Sequence, residues 1–222
     1  MGELKLSIAM SLDGFVAGPD PTVDEPLGKG GEQLHEWAFG LEAFRRPHGM
    51  EGGTVNASGA VLEERLDAGA AIMGRNMFGG GPGPWGDEPW EGWWSDEPPF
   101  RHPVFVLTHH AREPLVKGET TFTFVTDGIR SALEQARGAA AGRDVRLGGG
   151  ANVAQQYLAA GLLDEIEIDL VPVLLGGGAR LFESLPEGIR LEQTRAIEAP
   201  GVTHVKYRVR HGEGSEGSRR SL

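Results

Sequence analysis

The sequence predicts an α/β domain built on a mainly parallel sheet with an antiparallel edge. Strand-like and helix-like segments alternate through most of the chain and give way to strands alone at its end, as in a wound parallel sheet closed by a hairpin. The 35 glycines among 222 residues, about twice the usual ~7%, lie between those segments rather than in one block, as turns require.

Leu4–Met10 alternates larger apolar residues at 4, 6, 8 and 10 with smaller or polar ones, a largely buried strand that ends at Ser11-Leu12-Asp13-Gly14. Residues 18–31 are rich in Pro, Gly and Asp and read as a loop. Leu34, Trp37, Ala38, Leu41 and Phe44 then follow the helical period, with a stop before Pro47. Residues 48–57 are loop-like; Val61, Leu62 and Leu66 suit a helix closed by Gly69, and Ala70–Met73 a short buried strand. Between Gly79 and Pro99 lie Gly-Gly-Gly-Pro-Gly-Pro and four of the five tryptophans, at 85, 90, 93 and 94. No regular element fits there, yet much apolar surface needs burial, so the stretch reads as a structured lid or an interface.

Strands follow at Val104–Leu107 and Phe122–Val125. A helix capped by Asp127 carries Ile129, Ala132, Leu133, Ala136 and Ala140 on one face and ends at Gly142. Val145–Leu147 is a strand running into Gly148-Gly149-Gly150, followed by a helix capped by Asn152, bearing Val153, Tyr157 and Leu158 and closed by Gly161. Ile166–Leu174 is the longest strand, and Leu191–Ile197 and Val202–Val209, joined through Pro200-Gly201, form the antiparallel hairpin. Residues 1–211 thus make one domain, and 212–222, GEGSEGSRRSL, a disordered tail. The three Gly-Gly-Gly runs share no flanking pattern, which excludes an internal repeat.

The formal net charge of −11, from 21 basic and 32 acidic residues, argues against a nucleic-acid partner or an anionic membrane surface, both of which need a basic footprint. The longest apolar runs, at 104–107 and 170–175, are too short to cross a bilayer. There is no cysteine, which excludes disulfides, thiolate metal sites, iron–sulfur clusters and cysteine nucleophiles. The N-terminus, MGELKLSIAMSLDG, lacks a basic segment followed by a long apolar stretch and a cleavage site, so the chain reads as a cytoplasmic protein starting at this Met.

Three segments after predicted strands suit phosphate. In Leu147-Gly148-Gly149-Gly150-Ala151-Asn152 the glycines let backbone N–H groups converge, and the following helix N-terminus favours an anion; the alternative is a plain tight turn. It is not the G-x-G-x-x-G fingerprint, because Val153 stands in place of the third glycine. The one formal match, Gly81-Pro82-Gly83-Pro84-Trp85-Gly86, has no preceding strand and contains prolines. Gly74-Arg75-Asn76-Met77-Phe78 pairs a guanidinium with oriented amides, against a surface arginine in a loop. Thr108-His109-His110-Ala111-Arg112 gathers hydroxyl, imidazole and guanidinium groups suited to a ribose 2′-phosphate, against ordinary surface histidines. No metal site is expected: adjacent histidines diverge, and Phe39 replaces the second His of a zincin motif after His35-Glu36.

Segments 7–18 (SIAMSLDGFVAG), 72–78 (IMGRNMF), 104–110 (VFVLTHH), 148–152 (GGGAN) and 171–182 (VPVLLGGGARLF) together resemble the dihydrofolate reductase-like family, which includes the reductase domain of bifunctional riboflavin-biosynthesis proteins. The resemblance runs in order from residue 4 to about 210. It implies a three-layer sandwich around an eight-stranded, mainly parallel sheet, with NADPH across the strand carboxyl ends. It places the nicotinamide near Ala9, Ser11 and Gly14, the phosphates on Gly74, Arg75, Asn76 and Met77 and on Gly148, Gly149, Gly150, Ala151, Asn152 and Val153, and the adenine ribose phosphate near Thr108, His109 and His110. There are departures. Met77 stands where dihydrofolate reductases carry a phosphate-binding Thr, and Glu36 and Glu42 are the only acids on the first helix. Ser7 stands where riboflavin-pathway reductases often carry Lys, and the deaminase partner domain is absent from this sequence.

The leading expectation is an NADPH-dependent reductase acting on a small heterocyclic or carbonyl compound, in the manner of 5-amino-6-(5-phosphoribosylamino)uracil reductase. Asp13 is the candidate catalytic residue, orienting substrate or relaying a proton, unless it only closes an Asp-Gly turn. The alternative is a degenerate, non-catalytic nucleotide-binding module. A homodimer is the expected assembly, as the commonest symmetric state.

Overall fold

The computed structural model describes residues 2–22, 24–81, 83–94 and 96–211; the expected tail at 212–222 lies outside them. In chain order the elements are β1 (Leu4–Ser11), β2 (Phe15–Ala17), α1 (Glu36–Phe39), α2 (Glu42–Arg45), α3 (Ala57–Arg65), β3 (Ala70–Gly74), α4 (Arg75–Phe78), β4 (Val104–Leu107), β5 (Leu115–Lys117), β6 (Thr120–Val125), α5 (Ile129–Ala139), β7 (Val145–Gly149), α6 (Ala151–Ala159), β8 (Glu165–Val171), β9 (Ala179–Arg180), β10 (Ile189–Ala199) and β11 (Val202–His211). The main sheet has the order β10-β11-β8-β1-β7-β3-β4-β6-β5, and β2 pairs with β9 in a small second sheet. The strands from β8 to β6 run parallel. The β10–β11 hairpin adds antiparallel strands at one edge and β5 adds one at the other.

Successive strand side chains point to opposite faces, and the two faces of this sheet differ in chemistry. On one face Leu6, Ile72, Leu147 and Ile166 form a continuous apolar layer under α5 and α6. The stripe on α5 is small, Ala132 and Ala136, so the helix lies close; the Tyr157 hydroxyl donates to the Ile129 carbonyl at 2.7 Å and ties α6 to the start of α5. On the other face the tryptophan-rich segment covers β3, β4 and β6, with Phe78, Trp85 and Trp94 packed on Val106, Phe122 and Phe124. Next to that aromatic cap the face turns charged. Arg208, Glu165, Lys5 and Arg146 stand side by side across β11, β8, β1 and β7.

The α/β class, the parallel centre and the closing hairpin match expectation, and several elements differ in detail. The sheet has nine strands rather than eight because β5 pairs with β6 through a turn at Gly118; a three-residue strand leaves no readable period. The apolar spacing over 34–44 does not make one helix. Leu41 takes an extended conformation, ψ 139°, and its bridge to Thr54 separates α1 from α2. Gly128, at φ 88°, and not Asp127, caps α5. Likewise Gly150 caps α6, so Asn152 is an exposed first-turn residue whose Oδ1 accepts from Gln156 Nε2 at 2.7 Å. The strand predicted to Leu174 stops at Val171, where Pro172 can donate no ladder hydrogen bond.

Candidate functional site

In open parallel sheets ligands settle where the strand carboxyl ends fan apart at a reversal of strand order. Here the chain moves outward from β3 to β4 and β6, returns to β7 between β1 and β3, and then crosses to β8 on the far side of β1. Because those strands run parallel, residues 11–14, 74–78, 108–112, 149–153 and 172–178 all leave the sheet at one edge. Five segments far apart in sequence are thereby brought to one crevice.

Glycines shape its centre. A Cβ on Gly74 would stand 2.8 Å from Val153 Cγ2, so glycine there lets α6 pack on β3, and the buried Val153 side chain is committed to that contact. A Cβ on Gly148 would meet the Met77 thioether at 3.1 Å. Gly149 has φ 123°, a conformation that side chains disfavour, and the Gly149–Gly150 peptide is cis. A Cβ on Gly150 would meet nothing within 4 Å. Gly150 thus borders open space at the start of α6, whose first-turn N–H groups have no carbonyl partner within the helix. Ala9 is buried, and Ala151 is half-buried at the start of α6.

On one side of this centre Asp13 binds two loops together. Its Oδ1 accepts from the Ser11 hydroxyl at 2.6 Å and from Leu175 N at 3.1 Å, and Oδ2 accepts from Gly176 N at 2.7 Å. The Ser11 hydroxyl, with the two backbone donors assisting, holds the carboxyl below its ordinary range. Asp13 is thus an ionised acceptor. Gly14, at φ 90°, closes the turn by donating from N to the Ser11 carbonyl at 3.0 Å.

On the other side stand two arginines, Arg75 and Arg112, that form no ion pair among the described residues, although Glu91 acts on Arg112 from a distance. Arg75 begins α4; its Nε and Nη2 donate to the Gly79 and Gly80 carbonyls at 3.0 and 3.2 Å, while Nη1 is buried with no hydrogen-bond partner. Its Cζ stands 3.1 Å from the centroid of a Trp85 ring, which Arg112 also approaches, at 4.6 Å. Burial lowers the pKa of both arginines, and Arg112 lowers that of Arg75 further. Trp85 Nε1 donates to the His110 carbonyl at 2.7 Å, and His110 N donates to the Thr108 hydroxyl at 3.2 Å. A cavity of about 560 Å³ opens beside them, lined by Trp85, His109, His110 and Arg112. Asn76 and His109 are exposed.

The tryptophan stretch is chiefly a cap on the sheet face: Trp94 stacks on Phe122 at 5.7 Å and Trp90 Nε1 donates to the Phe78 carbonyl at 2.9 Å. Pro84, Trp85, Gly86 and Pro89 reach the crevice edge, and the Trp90 carbonyl accepts from Arg112 Nη1 at 2.6 Å.

Sequence reasoning missed a polar cluster under α3. Arg65 Nη2 meets Asp169 Oδ1 at 2.6 Å and Nε meets Glu167 Oε2 at 3.1 Å. Asp169 Oδ1 also lies 2.6 Å from His204 Nδ1, and His204 Nε2 lies 2.8 Å from the Ser58 hydroxyl. Burial raises the Asp169 pKa, but His204 and Arg65 outweigh it and hold the group ionised. The Ser–His–Asp order resembles a hydrolase relay, yet Ser58 and His204 are each 1% exposed and give a substrate carbonyl no approach. The cluster pins α3 to β8 and β11. The charged alternation of β8, Glu165-Ile166-Glu167-Ile168-Asp169, was its one legible signal.

Among the described residues, no group of three or more His, Asp or Glu side chains could hold a metal ion, and no helix is long and apolar enough to cross a membrane.

The model of the RibD C-terminal domain family matches residues 3–204. A protein of Shewanella sp. PV-4 described as a riboflavin biosynthesis protein superimposes with a TM-score of 0.61 at 22% identity, over 94% of this chain and 99% of that one. A pyrimidine reductase-like protein of Corynebacterium diphtheriae gives 0.54 at 13% identity, over 95% of this chain and 92% of that one. The Thermotoga maritima diaminohydroxyphosphoribosylaminopyrimidine deaminase/5-amino-6-(5-phosphoribosylamino)uracil reductase gives 0.54 at 15% identity, over 93% of this chain but 56% of that one. No curated protein matched the sequence. The fold shared with these structures is the dihydrofolate reductase-like one. With its sequence matched nearly from end to end, the chain belongs to the RibD C-terminal domain family.

Proposed function

We propose that the chain is an NADPH-dependent reductase that passes hydride to a small heterocyclic or carbonyl acceptor, with 5-amino-6-(5-phosphoribosylamino)uracil reductase-type chemistry as its specific form. The observation that carries the reading is a juxtaposition at one crevice in a chain of net charge −11. There the open N-terminus of α6 at Gly150 faces the same edge as two arginines that form no ion pair among the described residues, one with an orphaned Nη1. Oriented amides and guanidiniums are what a pyrophosphate and a 2′-phosphate require. The residues present therefore fit the cofactor, which when bound supplies the hydride.

In this reading the amides of Ala151, Asn152 and Val153 and those of Asn76 and Met77 hold the pyrophosphate, backbone replacing the hydroxyl that Met77 lacks. Arg75, Thr108, His109 and His110 receive the ribose phosphate. Ala9, Ser11 and Gly14 form the wall against which the nicotinamide end and the acceptor are aligned, and that alignment is the main catalytic contribution. Asp13 holds the wall in place by joining it to Leu175 and Gly176. Held ionised, it is a proton acceptor, so the proton consumed in reduction comes from water at neutral pH. Assembly as a cytoplasmic homodimer belongs to the same proposal.

Two observations favour the degenerate, non-catalytic reading: Asp13 spends its hydrogen bonds on its own loops, and Trp85 occupies the Arg75 guanidinium face. Titration of the protein with NADPH, NADP⁺ and NADH, followed by tryptophan quenching and thermal shift, tests the cofactor reading. NADPH oxidation across a panel of pyrimidine and carbonyl acceptors then separates enzyme from module. Selective stabilisation by NADPH with turnover of an acceptor supports the reductase; absence of dinucleotide binding overturns both readings.

A further inference from the structure

The charged face of the sheet holds a second cavity, of about 330 Å³, at the opposite edge from the crevice. Its floor is formed near the amino ends of β1, β7 and β8 by Lys5, Arg146 and Glu165. Charges along this floor alternate and pair. Asp144 meets Lys5 at 2.6 Å, Glu165 meets Lys206 at 3.3 Å, and Glu167 is shared between Arg65 at 3.1 Å and Arg195 at 2.9 Å.

The alternation breaks at Arg146. Across the sheet its neighbours are Lys5 on β1 and Ala71 on β3, so a cation flanks it on one side and a methyl group on the other. Its Nε is buried with no hydrogen-bond partner, and among the described residues its guanidinium forms no ion pair. Burial, reinforced by Arg65 and only partly offset by Asp169 and Glu167, pushes its pKa down to about 10. Arg143 lines the same cavity, likewise without an ion pair among the described residues, and His102 lies close enough to feel both guanidiniums. Of the lining acids only Asp67, exposed, has no ion pair among the described residues. A buried Nε–H without a hydrogen-bond partner costs free energy, and Glu167 and Asp169, already engaged by Arg65, act on Arg146 without an ion pair to it among the described residues; an anion seated in the cavity offsets that cost.

We propose that this cavity is an oxyanion site, separate from the crevice, in which Arg146 and Arg143 hold the phosphate group of free phosphate or of a small phosphomonoester. Planar guanidiniums favour such a group through paired N–H donors. The cavity volume is that of a site for a small molecule.

The test uses the whole protein in a buffer free of phosphate and sulfate, with inorganic phosphate and glycerol 3-phosphate as calorimetric titrants. The expected result is saturable binding of one or both, weakened at least about tenfold, or 1.4 kcal/mol, in Arg146→Met and weakened less in Arg75→Ala at the crevice. Tighter binding of glycerol 3-phosphate assigns the site to a phosphomonoester, and equal or weaker binding to free phosphate. A second expectation concerns folding: without anion, Arg146→Met is at least as stable to urea as the parent, because it removes a buried charge that forms no ion pair among the described residues. The proposal is overturned if neither titrant binds, if Arg75→Ala rather than Arg146→Met abolishes binding, or if Arg146→Met is strongly destabilised in the anion-free buffer. None of these outcomes depends on NADPH binding or turnover.

Discussion

The Arg75 guanidinium carbon lies 3.1 Å from the centroid of a Trp85 ring, and this contact joins the tryptophan cap to the crevice. It holds Arg75 toward the Gly79 and Gly80 carbonyls. Trp85 also packs edge-on against Phe124 at 5.0 Å. Trp85→Ala removes the cation–π contacts with Arg75 and Arg112 and the aromatic pairs with Phe78 and Phe124 together, and a loss of about 2–4 kcal/mol is expected from those terms and the lost packing. Urea denaturation measures it. The same variant should lose most of the fluorescence quenching produced by NADPH; quenching of undiminished amplitude would assign the signal to another tryptophan.

Gly150 is the more informative glycine to replace. A bulky residue at Gly149 is strained at φ 123° and confounds binding with folding. Gly150→Val places its side chain where a Cβ meets nothing within 4 Å, in the path of a phosphate approaching α6. NADPH affinity should fall by about tenfold or more, about 1.4 kcal/mol, with little change in the thermal midpoint. A folded Gly150→Val protein that binds NADPH as the parent does removes α6 from the cofactor site.

The pH dependence of Asp13 follows from the sign of its shift. Its folded pKa lies below the ordinary value of 3.8, so the contribution to stability is complete above that value and fades as pH falls through the folded pKa. Asp13→Asn should therefore weaken the join to Leu175 and Gly176 at neutral pH and soften the loss of stability in acid. If Asp13 acts by position, the variant lowers kcat/KM while the pH profile above pH 5 keeps its shape. A basic or neutral limb that vanishes with Asp13→Asn would instead make it a proton donor or acceptor in the reaction.

Arg65 should be costly to remove. Its guanidinium is 7% exposed and faces Glu167 and Asp169, of which the latter is 4% exposed. Arg65→Met leaves buried carboxylates with fewer counter-charges, and breaking such a pair costs about 3–5 kcal/mol. Chemical denaturation reads this directly. A loss under about 1 kcal/mol, the scale of a surface pair, would show that water reaches the cluster freely.

The segments with the clearest periods were legible. β1, β3, β4 and β7 alternate or run apolar because the residues on one side of each must face α5 and α6, and the period of two is a local property of the chain. The strand-to-helix junctions at Gly74 and Gly148–Gly150 were visible for the same reason: turn chemistry is written in adjacent residues. The break at Leu41 was not, because it depends on a bridge to Thr54, and neither was β5, whose three residues gain strand character only by pairing with β6.

The sequence by itself determined the α/β class, the glycine turns and the surplus of acid that obliges any anion to be held by local geometry. Tertiary structure alone decided which charges meet. Arg65, Glu167, Asp169 and His204 come from α3, β8 and β11, and their pairing exists only because the sheet lays β11 beside β8 and α3 across them. That Arg146 forms no ion pair among the described residues was equally hidden, since the strands that flank it arrive from residues 4–11 and 70–74. Periodicity is a short-range consequence of backbone geometry, whereas Coulomb partners are set by distance in space, which the order of residues does not carry.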